Sequence, residues 1–254
     1  MTDSNSPGDR TLRIGGRFQG PTGSGQGGWT AHRFTAGIDM PVTTAMRAPV
    51  PLETDLSIVQ VDGEWRLIDP TASDPVTIMV ARPWDPDFAD TEPVAVHDAV
   101  AARTRFSELV ADHPVPYCFS CGTQHDSMNV HAGPLGDGRF ATDWSPPPWA
   151  VSDSGIVDVG TLWAAIDCAA AWYAAYSREP KSPVTAQFAV EVIGPIEPDV
   201  TYSLVSWSGN HPDEWDGRKR HAASAAFSPD GTCVARSVSL WIAIDVFPGA
   251  PERS

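Results

Sequence analysis

No stretch of this 254-residue sequence is both long and apolar enough to span a bilayer. The most apolar run, Thr161 to Tyr176, is too short and carries an aspartate in its middle. The opening residues, MTDSNSPGDR, contain no apolar segment, so no secretory signal, no membrane partner and a cytoplasmic location are expected. Positive charge is scarce too. Lys and Arg number 17 against 32 Asp and Glu, a formal net charge of −15. Nucleic-acid binding needs a basic footprint, so no nucleic-acid partner is expected. The densest basic patch is Arg218-Lys219-Arg220-His221, which reads either as a solvated loop or as a contact for an anionic ligand. Four cysteines do not make a disulfide scaffold in a chain of this length. Cys118 and Cys121 form a C-x-x-C followed by His125 and His131, but His125 comes only four residues after Cys121, tighter than common zinc spacings. A turn holding two small, half-buried residues is the preferred reading, and neither a metal nor a cofactor is expected. No G-x-S-x-G occurs, which disfavours a serine hydrolase.

What is present is a set of short strings that recur in the same order. Gly16-Arg17-Phe18 recurs as Gly138-Arg139-Phe140, and Pro41-Val42-Thr43 as Pro183-Val184-Thr185. The segment from Pro51 to Ile58 matches that from Pro195 to Tyr202 as P-apolar-E-x-D-apolar-hydroxyl-apolar, and Val80-Ala81-Arg82 recurs as Val234-Ala235-Arg236. Collinear order implies a duplication. The expected organisation is a disordered tail over 1–10, a first repeat over 11–84, a linker with a helix over 85–113, a second repeat over 114–247 and a tail over 248–254. Each repeat reads as strand, glycine-marked loop, helix, then several strands. Residues 159–176 are the better helix, uninterrupted by Pro or by Gly after Gly160. Segments 184–192, 201–207, 221–227 and 233–244 alternate over strand lengths, and Ser228-Pro229-Asp230-Gly231 and Val61-Asp62-Gly63 mark turns. A helix followed by a meander of strands is α+β.

Gly23, Gly25 and Gly28 match the spacing G-x-G-x-x-G. A dinucleotide site would need a buried strand before them and βαβ repetition after them, and neither is present. A helix N-terminus nevertheless offers unpaired N–H groups, and glycine lets a ligand approach the backbone closely. Such a turn can cradle a carbonyl oxygen. The acid to work with it is Asp167, the only charged residue between Thr161 and Ser177. Its neighbours are apolar on nearly all faces, so its helix is buried and desolvation should raise its pKa. That makes it either a general base or a carboxylate strut in the core. Trp29, Trp163 and Trp172 read as core or as the wall of a ligand tunnel.

Strand, loop, helix and antiparallel sheet, written twice, resembles the double hotdog fold, in which each sheet wraps a central helix. The second repeat resembles the PaaI-type thioesterase family in its Cys118-Phe119-Ser120-Cys121-Gly122 opening, its Gly160-to-Asp167 spacing, and Thr185 on the following strand. The family's His-Gly-Gly slot reads Asp158-Val159-Gly160 in the second repeat and Gln26-Gly27-Gly28 in the first, where Thr35 stands in the acid's place. The resemblance implies one composite site. Asp167 acts as base or nucleophile, Gly27 holds the oxyanion and Thr185 assists. Gln26, Gly28, Gly160 and Trp163 contact the substrate, and Arg218 and Lys219 hold its phosphates. The implied activity is hydrolysis of an acyl-CoA, with a homodimer left open. The alternative is a non-catalytic acyl-CoA or lipid-binding protein, consistent with Ser239 standing where a family glutamine assists. A hotdog hydratase would need an Asp/His loop that the sequence does not show.

Overall fold

The computed structural model describes residues 10–85, 87–110, 113–123, 126–177, 182–210 and 217–245. The expected C-terminal tail, His125 and residues 1–9 lie outside them. Arg10, expected in the N-terminal tail, instead opens a strand.

The order is β1 (Arg10–Arg13), α1 (Gly27–Thr35), β2 (Val42–Met46), β3 (Asp55–Val61), β4 (Glu64–Asp69) and β5 (Val76–Pro83). Two connecting helices follow, α2 (Val96–Thr104) and α3 (Phe106–Leu109). Then come β6 (Gly133–Pro134), β7 (Phe140–Trp144), α4 (Gly160–Tyr176), β8 (Ser182–Val192), β9 (Tyr202–Trp207), β10 (Lys219–Phe227) and β11 (Cys233–Ile244). The strands form one antiparallel sheet in the order β1-β3-β4-β5-β2-β8-β11-β10-β9-β7-β6. From the β2/β8 junction the order runs β5, β4, β3, β1 in one direction and β11, β10, β9, β7 in the other. The fold class is α+β, as the alternation predicts.

Local sequence explains the joints. Asp62 and Gly63 both take positive φ (53° and 79°) in the two-residue link from β3 to β4, which suits the twist of a tight hairpin. Gly231, at φ 85°, turns β10 into β11. α4 is buried along almost its whole length and contacts β7 through β11, so that half of the sheet wraps it. Its six buried alanines let the strands come close.

A second apolar layer lies on the outer face of the sheet. There Ala99 and Ala102 of α2 pack with Ala141, Val205, Trp207, Ala223 and Phe227. β9 is therefore buried on both faces, with Tyr202 and Leu204 inward and Val205 and Trp207 under α2.

Two of the recurring strings do not superpose on this topology. Gly16–Phe18 is a turn of 3-10 helix, whereas Gly138-Arg139-Phe140 leads into β7. Val80–Arg82 and Val234–Arg236 fall on β5 and β11 but out of register. Arg82 pairs with Thr43, while Thr185, the match of Thr43, pairs with Trp241. Short apolar-apolar-basic strings suit many strands, so this match carries no positional information.

Candidate active site

α1 begins with its first turn directed at the middle of α4. Gln26 is the residue before the helix, and its side-chain oxygen accepts the Trp29 N–H (2.7 Å), satisfying one of the donors that open every helix. Gly28 is pressed onto α4 so closely that a Cβ there would lie 2.4 Å from the Trp163 carbonyl oxygen and 2.7 Å from the Asp167 Cβ. Only glycine fits this crossing, and it carries the α1 N-terminus to the Asp167 carboxylate.

Asp167 is 3% exposed and accepts from three donors. Oδ2 takes the Gln26 Nε2 amide (2.6 Å) and the Gly28 N–H (3.0 Å). Oδ1 takes the Thr185 hydroxyl (3.1 Å) from β8. The positive end of the α1 dipole adds to these. Even so, loss of water outweighs the donors, and the Asp167 pKa is pushed up from 3.8 to about 7. The Gly28 N–H, Thr185 and Gln26 pull it down, and the nearby Cys118 pushes it further up. The result is a carboxyl group that exchanges its proton near neutrality.

The N–H of Gly27, half-buried beside this carboxylate, has no acceptor among the described residues. A Cβ on Gly27 would stand 3.2 Å from Asp167 Oδ2, 3.2 Å from Thr185 Oγ1 and 3.3 Å from the terminal methyl of Met46. Gly27, Thr185 and Met46 are each only partly buried, so the corner meets solvent on this side, with the Met46 methyl across it.

The structure thus brings Gln26, Gly27, Gly28, Asp167 and Thr185 together. Gln26 is spent on Asp167 and on capping α1, and Gly28 on Asp167 and the helix crossing. Trp163 lies one turn before Asp167, and its ring meets the edges of His32 and Phe188. Gly160 is elsewhere: its N–H goes to Asp158 (3.0 Å), and a Cβ there would touch the Trp29 ring at 3.0 Å. Arg218 donates to the Ala243 carbonyl (2.9 Å), and Lys219 is exposed at the start of β10. No contact ties either to Asp167 among the described residues. Trp29 stacks on Phe18 and Trp172 packs edge-on to Phe106, both as core. Ser239 is buried, donating to Ala222 and accepting from Trp241. A cleft of about 640 Å³ lies beside Trp29, Trp149, Arg13, Arg33 and Asp158, and its walls include none of Asp167, Gly27 or Thr185.

Sequence reasoning missed one participant, Met46, and placed Gln26 at the site in another role, as a substrate contact. Gln26 as the amide that grips Asp167 had a faint signal, because glutamine is an unusual residue at the position before a helix. Met46 as the cover of Gly27 had none, because it depends on β2 lying next to β8.

No protein-family model matches the chain, and no curated protein matches it. Solved structures do. The Escherichia coli PaaI protein from the phenylacetic acid degradation operon is 13% identical with a TM-score of 0.43, over 61% of this chain and 99% of that one. A hypothetical thioesterase from Streptococcus pneumoniae TIGR4, crystallised with coenzyme A, is 10% identical with a TM-score of 0.39, over 46% of this chain and 90% of that one. The smu.793 protein of Streptococcus mutans UA159, bound to acetyl CoA, is 9% identical with a TM-score of 0.38, over 44% and 85%. Each likeness is partial, at a TM-score below 0.5.

Proposed function

We propose that the chain hydrolyses an acyl-CoA thioester at one composite site made of the α1 N-terminal turn, Asp167 and Thr185. The observation that carries this is the unshared Gly27 N–H standing beside a buried carboxylate whose pKa lies near 7. A thioester carbonyl that displaces the Met46 methyl accepts from Gly27, at the positive end of α1. Methionine is flexible enough to yield that space. Oδ1 of Asp167 has one donor against two on Oδ2, so it is the oxygen with capacity to take a proton from water. The water oxygen then bonds to the carbonyl carbon, and the negative charge forms on the oxygen held by Gly27. Collapse breaks the carbon–sulfur bond, and the proton returns from Asp167 to the departing CoA thiolate. A base whose pKa matches the working pH is the efficient one, and one oxyanion donor is typically worth about 10²–10³ in rate. Gln26 and Gly28 are positioning residues in this scheme, since both act through Asp167.

The duplication belongs to the same proposal. The offset that lays Pro41-Val42-Thr43 onto Pro183-Val184-Thr185 also lays Ala45 onto Gln187, and those two residues face each other across the β2/β8 junction. A two-fold between repeats 11–84 and 114–247 would pass through that pair, as in a double hotdog. The mirror-related site would then have Thr35 for its acid, and that hydroxyl is turned back onto the Ala31 carbonyl (2.8 Å). One site survives.

A second reading is favoured by a specific contact. The Gly28 N–H is already taken by Asp167, as it would be in a protein that binds acyl-CoA or lipid without turnover. A panel of acyl-CoAs of graded length, followed by thiol release and in parallel by thermal shift, tests both. Thiol release with at least one chain length supports hydrolysis. A shift without release supports the binding protein, and neither signal with any ester rejects both.

A further inference from the structure

Three of the four cysteines meet at one point. The Sγ atoms of Cys118, Cys121 and Cys168 all lie within 4.8 Å of one another, with Cys118 and Cys168 3.9 Å apart, and all three residues are buried. They come from two separate parts of the chain, the loop before β6 and the middle of α4. Metal–sulfur bonds of about 2.3 Å set sulfurs about 3.8 Å apart in a tetrahedron and about 4.0 Å apart in a trigonal plane. One of the three spacings already matches, and the others need at most about 1 Å of adjustment to surround an ion.

Gly122 closes the turn where no side chain fits: a Cβ would lie 2.4 Å from the Cys118 carbonyl oxygen and 2.5 Å from that of Pro116. The buried Ser120 hydroxyl then pins the loop to α4 through the Ala164 carbonyl (3.0 Å), one turn before Cys168. Packing alone does not require three thiols from two parts of the chain to converge.

We infer that Cys118, Cys121 and Cys168 form a three-thiolate site for a thiophilic closed-shell cation, Zn(II) or Cu(I). Soft thiolate sites select these ions. The bound ion would tie the 118–122 loop to α4 directly behind Asp167 and Gln26, whose Nε2 lies 3.6 Å from the Cys168 sulfur. His125, which follows Cys121 more tightly than common zinc spacings allow, is not needed, because α4 supplies the third sulfur from 47 residues further along. The inference stands apart from the thioester reading and is tested without any turnover.

The test uses the full chain, reduced and stripped with a chelator under anaerobic conditions. It is titrated with Co(II) as the spectroscopic stand-in for Zn(II), and separately with Cu(I) against a chromophoric chelator. One equivalent per chain is expected for at least one of the two ions, with a near-ultraviolet thiolate-to-metal charge-transfer band. Cys168→Ser should lose the band and weaken binding by more than the roughly 10–100-fold typical of losing a supporting contact. Cys233→Ser, which alters the cysteine on β11, should bind as the native chain does. Absence of the band with both ions in the native chain overturns the inference, whether or not the variants fold. Binding that survives Cys168→Ser unchanged overturns it too.

Discussion

Replacing Asp167 by Asn should make the protein more stable at alkaline pH and leave it unchanged at acid pH. The folded-state pKa of about 7 lies above the ordinary value of 3.8. Between those values the folded chain holds a proton that the unfolded chain has released. Stability is therefore full below pH 3.8 and is lost as the pH rises through 7. A gap of about three pH units at about 1.4 kcal/mol each gives a loss of about 4 kcal/mol. Asn keeps the shape, accepts from Gly28 and Gln26 through its oxygen, and donates to the Thr185 hydroxyl, so no partner is stranded. The native pH profile alone does not reveal this. His32, largely buried, has its pKa lowered by that burial from 6.5 to about 4, which adds a slope of opposite sign in the same range. The difference between variant and native is the diagnostic quantity. Urea melts at pH 4, 6 and 8 on the reduced, metal-free chain should show that difference growing from about zero to about 4 kcal/mol in favour of Asn at pH 8. A difference that stays within about 1 kcal/mol across the range, or an Asn variant less stable than native at pH 8, refutes the reasoning.

Other perturbations separate the parts of the site. Gly28→Ala drives a Cβ to 2.4 Å from the Trp163 carbonyl, a backbone atom that cannot swing aside; a loss of at least the roughly 1–3 kcal/mol typical of overpacking is expected in denaturant melts. Gly27→Ala meets nothing closer than 3.2 Å, so it should melt within about 1 kcal/mol of native while thiol release falls, because its methyl occupies the carbonyl's place; equal loss of stability in both variants contradicts the division of roles. For His32, whose Nδ1 is buried with no hydrogen-bond partner among the described residues, stability present above pH 6.5 is lost as the pH falls through 4. His32→Gln should remove about 3 kcal/mol of that acid-limb loss, and an unchanged acid limb in melts from pH 7 to pH 4 argues against it.

How much of this was legible in the sequence follows from the range of the interactions involved. α4 and its lone carboxylate were readable because seventeen helical residues with one charge leave little alternative. The hairpin at Asp62-Gly63 was readable because its backbone demands those residue types. The pairing of Asp167 with Gly27, Gly28 and Thr185 was anticipated only through a family resemblance, since about 140 residues separate the glycines from the acid. Burial of β9 on both faces escaped notice because α2, which covers it, shows only alanines toward the sheet. Cys168 looked like one small residue among alanines, and its tie to Cys118 crosses 50 residues. The Gly16-Arg17-Phe18 match misled because a tripeptide does not fix a conformation: the same residues form a 3-10 turn at one site and lead from a bend at Gly138 into β7 at the other.

The most direct trial of the central claim compares native chain and Asp167→Asn for CoA-thiol release from the same acyl-CoA, with both confirmed folded by thermal melt. The account predicts release by the native chain and at least about a 10²-fold loss in the variant, even though the variant is the more stable of the two at pH 8. Equal rates, from two folded proteins, would contradict it.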